Sequence, residues 1–169
     1  MKKRILFITQ AAVIGAMYVA LTLLSAAFGL DKGAIQLRLS EALCVLPVFT
    51  PAAVPGLFVG CLIANLVTGC IPWDIAIGSL ATLIAAAGTR LAGRRNIFPG
   101  LLCPVAANTV AVPIVLKYFY GLDGAIWYFA ATVFAGELIS AGLLGYFLYR
   151  ALRRSGLFRN GESASAPNG

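Results

Sequence analysis

Long runs of apolar residues, separated by short polar stretches, recur from one end of the chain to the other. Runs of this kind are typical of helices that cross a lipid bilayer. We predict six spans, at about residues 5–28, 37–49, 51–68, 73–92, 98–120 and 124–152. The second span is short and begins with an amphipathic stretch. The pattern therefore predicts an all-α membrane protein built as a bundle of six transmembrane helices.

The composition agrees with this assignment. Of the 169 residues, 60% are hydrophobic and 11% are charged, whereas roughly a quarter of the residues in soluble domains are charged. We predict one membrane domain over residues 1–158 and a disordered cytoplasmic tail over residues 159–169. The basic start of the chain is similar to that of a signal peptide, but the first apolar run continues to Phe28 and further spans follow.

Basic residues predict the orientation, because they concentrate in the cytoplasmic loops of membrane proteins. Ten fall on the side of both termini: Lys2, Lys3, Arg4, Arg90, Arg94, Arg95, Arg150, Arg153, Arg154 and Arg159. The other side receives Lys32, Arg38 and Lys117. We therefore expect a multi-pass protein with both termini in the cytoplasm. Since the net charge of +7 resides at span ends, we expect no nucleic-acid partner.

Prolines and one threonine predict local features of the spans. Thr50 before Pro51 predicts a helix that starts with an N-cap and a first-turn proline. Pro55, Pro104 and Pro113 fall inside predicted spans, where we expect them to kink the helices.

One polar cluster occurs at the start of the second span, where Gln36, Arg38, Ser40 and Glu41 follow one another closely. A charged side chain in the membrane costs about 2.5–3.5 kcal/mol on insertion scales, so the cluster requires a partner or a ligand. Arg38 and Glu41 share one face of a helix at their spacing. Two interpretations remain open: the two residues neutralise each other as an ion pair, or they bind a ligand.

Three further polar residues lie inside apolar runs. Glu137 falls near the middle of the sixth span and must face the protein interior, so we regard it as a candidate ligand-binding residue. The alternative is a structural role in which it hydrogen-bonds a kinked backbone. Asn65 and Asn108 are candidates of the same kind, with hydrogen bonds between helices as their alternative role.

Two tryptophans, Trp73 and Trp127, lie at the predicted outer ends of spans. Both are candidates to stack against a flat ligand. The alternative is that they are interfacial anchors, which membrane proteins place at the bilayer surface.

Small residues form two stripes. Ala12, Ala16 and Ala20 share one face of the first span, and Gly56 and Gly60 share one face of the third. Such stripes let helices approach closely. Each stripe is a candidate for internal packing, and the alanine stripe is also a candidate docking face for another subunit.

Several classes of function are not expected. The chain has no Walker phosphate-binding motif and no histidine, so we do not expect it to hydrolyse ATP itself or to be an enzyme. We expect no cofactor and no metal. The cysteines lack metal-ligand spacing and are interpreted as small buried hydrophobic residues. They are Cys44, Cys61, Cys70 and Cys103.

Three stretches of the sequence resemble a known family: Gly33-Ala-Ile-Gln-Leu-Arg-Leu-Ser-Glu-Ala-Leu43, Leu46-Pro-Val-Phe-Thr-Pro-Ala-Ala-Val-Pro-Gly56 and Gly60-Cys-Leu-Ile-Ala-Asn65. They are similar to the queuosine-precursor transporter (QueT) family, whose members are substrate-binding S components of bacterial energy-coupling factor (ECF) transporters. The resemblance implies an S-component bundle in a bacterial cell membrane that captures 7-cyano- or 7-aminomethyl-7-deazaguanine from outside. It also implies ATP-driven uptake with a transmembrane coupling subunit and two ATPase subunits. In S components, small residues on the first helix dock the coupling subunit, a pattern that the alanine stripe matches.

The chemistry of a 7-deazaguanine suits the candidate residues. Its N1–H and 2-amino groups suit a carboxylate, and its O6 suits Arg38, Gln36 or an Asn amide. Glu41 and Glu137 would then divide between the base edge and the cation of the aminomethyl form. The candidate stacking residues are Trp73, Trp127 and Tyr128. We also expect residues 30–38 to form a lid.

Two alternatives to this function remain. The first is an S component for another flat vitamin or nucleobase. The second is a stand-alone oligomeric carrier that works without ATPase partners. A membrane-embedded enzyme is disfavoured, because the sequence shows no nucleophile–base pair and no metal-ligand set.

Overall fold

The structure is a computed structural model, and it describes residues 1–30 and 36–155. All regular structure in these residues is helical. Two π-helical segments, Val115–Phe119 and Leu138–Leu144, extend α4 and join α5 to α6. The other helices are α1 (Lys2–Ala27), a 3-10 helix (Leu39–Val48), α2 (Ala53–Val67), α3 (Pro72–Gly93), α4 (Ile97–Ile114), α5 (Ile126–Glu137) and α6 (Gly145–Ser155).

These elements form six rods, which agrees in number with the six predicted spans. Four rods are long and apolar enough to cross a membrane: Lys2–Ala27, Pro72–Gly93, Ile97–Phe119 and Ile126–Ser155. The 3-10 helix and α2 are apolar but shorter, at 10 and 15 residues. The prediction of an all-α, multi-pass membrane protein is therefore confirmed, whereas spanning length is reached by four rods of the described chain. The predicted tail, and most of the predicted lid, lie outside the described residues.

The 3-10 helix occupies the centre of the bundle. It packs against α1, α3, α6 and the segment Leu138–Leu144, and most of its residues are buried. At about 2.0 Å per residue it rises about 20 Å, which is part of the way through a bilayer. Arg90 near the end of α3 donates from Nη1 to the carbonyl of Pro47 over 2.7 Å and so holds the C-terminal end of this helix.

Glycines bring α1 and α2 into close contact. A Cβ atom added at Gly56 would lie 2.6 Å from the carbonyl of Ala11, and one added at Gly60 would lie 2.9 Å from the backbone of Gly15. No larger residue fits at these crossings, so the glycine stripe of α2 serves internal packing. The alanine stripe of α1 has the opposite environment: Ala12, Ala16 and Ala20 are exposed.

Two local predictions were wrong. Thr50 is not the N-cap of α2, because that helix begins at Ala53 with Ala52 as its N-cap. The Thr50 hydroxyl instead donates to Oε1 of Gln10 over 2.9 Å and accepts from the Ala52 N–H. Pro55 lies in the first turn of α2, where a missing N–H costs no helical hydrogen bond. Pro104 and Pro113 do lie inside α4, and the π-helical extension of α4 begins two residues after Pro113.

Candidate functional site

Glu41 is buried at the start of the 3-10 helix, where protein groups occupy both of its oxygens. The Tyr18 hydroxyl on α1 donates to Oε1, and the Cys44 thiol one turn further along donates to Oε2 over 3.2 Å. Glu41 is only 2% exposed and Tyr18 only 1%. This acid is therefore bound into the packing between the 3-10 helix and α1.

Glu137 is buried at the end of α5, but its oxygens are not equally occupied. Asn108 on α4 donates from Nδ2 to Oε1 over 2.8 Å. Oε2 is buried without a hydrogen-bond partner, and so is the Ser140 hydroxyl one turn away. Buried polar atoms are nearly always paired, so an unpaired carboxylate oxygen and an unpaired hydroxyl, three residues apart in the chain, indicate a place where a ligand supplies hydrogen bonds.

Arg38 lies in the extended segment that leads into the 3-10 helix, and it lines the same small hollow as Glu137. Its guanidinium interacts electrostatically with Glu41, and both of these groups interact electrostatically with Glu137. The hydrogen bonds to Glu41 come from Tyr18 and Cys44, so Arg38 acts on that carboxylate at longer range. The Arg38 cation thus offsets part of the negative charge of the two acids.

The segment that carries Gln36 and Arg38 lies directly on α5. A Cβ atom added at Gly136 would overlap the carbonyl of Gln36. The glycine therefore permits this segment to run across the helix beside Glu137. Leu37 fixes the same segment to the end of α1 through a backbone hydrogen bond to Leu30 of 2.8 Å.

Two hollows share Gln36 and Val133 in their walls, and Glu137 lines the smaller of the two. The smaller, of about 20 Å³, is lined by Gln36, Arg38, Val112, Val133 and Glu137. The larger, of about 170 Å³, lies under aromatic side chains. Its lining is Gln36, Leu116, Leu122, Tyr128, Phe129, Thr132 and Val133. The site thus combines an acid, a base and an amide in one hollow with aromatic and apolar walls in the next.

The structure brings four of the predicted site residues together: Gln36, Arg38, Asn108 and Glu137. Asn65 lies on the other side of the cluster, where its amide donates to the Cys61 sulfur over 3.6 Å and lies beside Gly78 of α3.

The two tryptophans take surface positions. Trp73 is 59% exposed and contacts the ring of Phe119 in a tilted arrangement with centroids 5.2 Å apart, and Trp127 is 81% exposed. Neither lines the two hollows, and both positions are typical of interfacial anchors.

Hydrogen bonds connect two helices at the end of the bundle where Trp73 lies. Tyr120 donates to Oδ2 of Asp74 over 3.0 Å and accepts from the Ile71 N–H, which ties the start of α3 to the end of α4. Partial burial, together with the nearby Asp74 carboxylate, raises the pKa of Tyr120 to about 12. The phenol therefore remains a donor throughout the physiological pH range.

Three residues at the site did not emerge from the sequence: Tyr18, Cys44 and Ser140. Tyr18 had a signal, because Tyr18, Thr22 and Ser25 recur at helical spacing and mark a polar stripe on an apolar helix. Cys44 is buried as predicted, but it is also a donor to Glu41. Among the described residues, no group of three or more His, Cys, Asp or Glu side chains lies close enough to hold a metal ion.

Comparison with known families gave one result. A family model described as QueT transporter matches residues 8–154. Comparisons with the curated proteins and with the solved structures gave no significant match.

Proposed function

The chain belongs to the QueT transporter family, and from this premise we propose that it is the substrate-capture (S) subunit of an ECF-type importer. Its substrate is a queuosine precursor, 7-cyano- or 7-aminomethyl-7-deazaguanine, taken up from outside a bacterial cell. The binding site is the pair of hollows beside Glu137, under the segment that carries Gln36 and Arg38. The basic end of the bundle, with both termini, faces the cytoplasm.

One observation carries the assignment of the binding residue. Oε2 of Glu137 is buried and has no partner, whereas both oxygens of Glu41 already accept hydrogen bonds from the protein. A ligand with two adjacent donors gains most at the acid whose acceptors are free. Glu137 is therefore the acid that receives the base, and Glu41 supports the position of the 3-10 helix.

The edge of a 7-deazaguanine matches the polar groups around Glu137. Its N1–H and 2-amino groups donate to the carboxylate, which has lone pairs left after Asn108 has bonded to Oε1. Its O6 accepts from Arg38 or from the Gln36 amide, which line the same hollow. The ring occupies the larger hollow against Tyr128 and Phe129.

The sizes of the hollows imply a movement on binding. A cavity of about 150 Å³ can hold benzene, so the 170 Å³ hollow accommodates one ring-sized group. A fused two-ring base requires the joined space of both hollows. Because Gln36 lies in the wall of each, displacement of Gln36 opens the passage between them and lets the base reach Glu137.

Ligand binding to the purified Glu137→Gln protein tests this assignment. We expect affinity for the 7-deazaguanine to fall about 10- to 100-fold, because hydrogen bonds to a charged group contribute about 1.5–3 kcal/mol each. Asp123→Asn is the matched control, since it removes one exposed acid from the same end. Titration calorimetry measures both. Equal affinity for Glu137→Gln and wild type would remove this carboxylate from the site.

The same calorimetry distinguishes the deazaguanine from other flat ligands. A 7-deazaguanine, guanine and a flavin differ in the substituent at position 7 and in the donor edge. Preference for the 7-substituted compounds supports a queuosine precursor. Tighter binding of guanine or a flavin would support an S component for another nucleobase or vitamin.

The partners follow from the exposed alanine stripe on α1. Ala12, Ala16 and Ala20 lie opposite the face that packs against α2, and they leave a smooth surface for another helix. We assign this surface to the transmembrane coupling subunit, which carries the two ATPase subunits.

Co-purification tests the docking assignment. Ala16→Leu adds bulk to the stripe and should abolish co-purification with the coupling subunit, while ligand binding stays at the wild-type level. Ala76→Leu, at an exposed alanine of α3, is the control. Transport by the chain alone in proteoliposomes would instead support a stand-alone oligomeric carrier.

A further inference from the structure

A second pocket lies at the opposite end of the bundle, between the start of α4 and the last turns of α6. Its volume is about 490 Å³, and it is lined by Ile97, Phe98, Tyr146, Tyr149, Arg150, Arg153 and Arg154. This volume is within the range of small-molecule sites, about 300–1,000 Å³. The lining differs from that of the first site, because it combines three arginines with three aromatic rings.

The folding of α6 determines which side chains line this pocket. Tyr146, Tyr149, Arg150, Arg153 and Arg154 recur at helical spacing and share one face. The opposite face carries Leu148 and Leu152, which pack against the hydrophobic core. Core packing therefore fixes the rotation of α6 and directs its basic face toward α4.

Ring contacts hold the walls of the pocket in place. Phe98 of α4 stacks on Tyr146 of α6, with centroids 5.9 Å apart. The guanidinium of Arg150 lies 6.0 Å from the Tyr146 ring centroid, and Arg153 donates to the Tyr149 hydroxyl over 3.3 Å. The cations are thus positioned by aromatic rings, with their remaining donors available.

Carboxylates are missing from this end of the described chain. The four acidic residues that the structure describes lie in the opposite half of the bundle: Glu41, Asp74, Asp123 and Glu137. Arg94 and Arg95 add two more exposed cations in the loop before α4. No carboxylate of the described residues therefore competes with an outside anion for the exposed arginines of the pocket.

The length of the last rod places the pocket in the headgroup layer of the membrane. Residues 126–155 form a helical rod of 30 residues, about 45 Å long at about 1.5 Å per residue. The hydrocarbon layer is about 30 Å thick. Trp127 anchors the other end, so the excess of about 15 Å falls on residues 146–155.

We propose that this pocket binds the phosphate of an anionic phospholipid headgroup. The arginines donate to the phosphate oxygens, as guanidinium groups do at phosphate sites. The rings of Phe98 and Tyr146 contact the glycerol and the first part of the acyl chains. One bound lipid then links α4 to α6 at the end of the bundle opposite the deazaguanine site.

Native mass spectrometry of the detergent-purified protein tests the proposal with added phosphatidylglycerol and phosphatidylcholine. We expect wild type to retain one phosphatidylglycerol and little phosphatidylcholine. Arg150→Gln/Arg153→Gln should retain it about 30-fold less, since each basic residue near an anionic lipid surface contributes about fivefold. Lys2→Gln/Lys3→Gln removes the same charge at the same end outside the pocket and should retain the lipid.

Each other outcome would overturn the proposal. Equal losses in the two double variants would show a diffuse charged surface without a specific pocket. Equal retention of both lipids would show that headgroup charge is not recognised. Stabilisation of wild type by inorganic phosphate to the same extent as by phosphatidylglycerol would show a free-phosphate site. An Arg150→Gln/Arg153→Gln protein that keeps the lipid but loses ATPase partners would show a protein-docking surface. The melting temperature of each variant, compared with that of wild type, checks that the protein is folded. The single variant Arg154→Gln is a milder change to the same pocket, in case the double variant does not fold.

Discussion

Two buried carboxylates, Glu41 and Glu137, belong to regions of this protein that differ in their packing and hydrogen bonding. Around Glu41, glycine-mediated contacts bring α1 and α2 together, and donors from the protein occupy both carboxylate oxygens. Around Glu137, α5 passes into a π-helical segment, hollows remain, and two polar atoms have no partner. Burial is therefore the same for both acids, and hydrogen-bond occupancy differs.

The difference teaches how to separate a structural acid from a ligand-binding acid. A carboxylate whose acceptors are filled stabilises the fold and gains little from a new donor. A carboxylate with a free buried oxygen leaves the unliganded protein under-satisfied and gains from a ligand. π-helical segments occur frequently at functional sites, which agrees with the placement of Leu138–Leu144 beside Glu137.

The largest expected effect is a loss of stability in the region around Glu41. Glu41→Leu leaves the buried Tyr18 hydroxyl without an acceptor, and we expect the free energy of unfolding to fall by about 3 kcal/mol. Tyr18→Phe/Glu41→Leu removes the acid and its phenol donor, leaves only the weak Cys44 thiol donor unpaired, and should recover most of that loss. Denaturant unfolding in detergent measures each protein. Glu137→Gln should stay within about 0.5 kcal/mol of wild type, because no hydrogen-bonded pair is broken. A wild-type value for Glu41→Leu would refute the structural role of this acid.

The next effect concerns the proposed ligand-binding region around Glu137. Gly136→Ala pushes the Gln36 backbone away from α5, and we expect ligand affinity to fall about 10- to 100-fold, as overpacking costs about 1–3 kcal/mol. The intrinsic helix propensity of α5 does not oppose the change, because Ala is the better helix former, so a fall in melting temperature would report only the clash with Gln36. The matched control is Gly142→Ala, whose added Cβ first meets a Leu138 side-chain carbon at 3.4 Å. Similar binding losses in both variants would mean that the Gln36 contact does not matter.

The smallest effect concerns the hydrogen bonds of Tyr120, which join the start of α3 to the end of α4. The pKa of Tyr120 is about 12 in the folded protein and about 10 in an unfolded chain. A raised folded pKa contributes stability below pH 10, which is lost as the pH rises to 12. Tyr120→Phe should therefore show a shallower fall in melting temperature between about pH 10 and 12 than wild type. Parallel curves would indicate that Tyr120 does not depend on Asp74 and its burial.

Much of the fold could be predicted from the sequence, because uninterrupted apolar runs indicate membrane helices. The helical class and the six rods followed from this pattern. The form of the second rod did not, because a buried 3-10 helix and a short α-helix have similar apolar runs. The start of α2 was misplaced, because the Thr50 hydroxyl found a partner in Gln10, 40 residues away in the chain.

The sequence identified the polar residues of the candidate site, and the packing of the helices showed which of them lie together. Glu41, Glu137 and Asn108 were identified because a polar group within an apolar run has a high free-energy cost in the membrane. Their division of roles depended on long-range pairs: Tyr18 with Glu41 across 23 residues, and Asn108 with Glu137 across 29. The sequence contains no local signal for these pairs, so it could not separate the occupied acid from the free one.

By itself, the sequence determined that the chain is a helical membrane protein with its charge concentrated at one end, because hydropathy and charge are properties of local segments. Only the tertiary structure decided which polar atoms are satisfied, since a donor and its acceptor meet only after helices distant in sequence have packed. It placed the alanine stripe of α1 outward and the glycine stripe of α2 inward, although both sequences favour close approach equally.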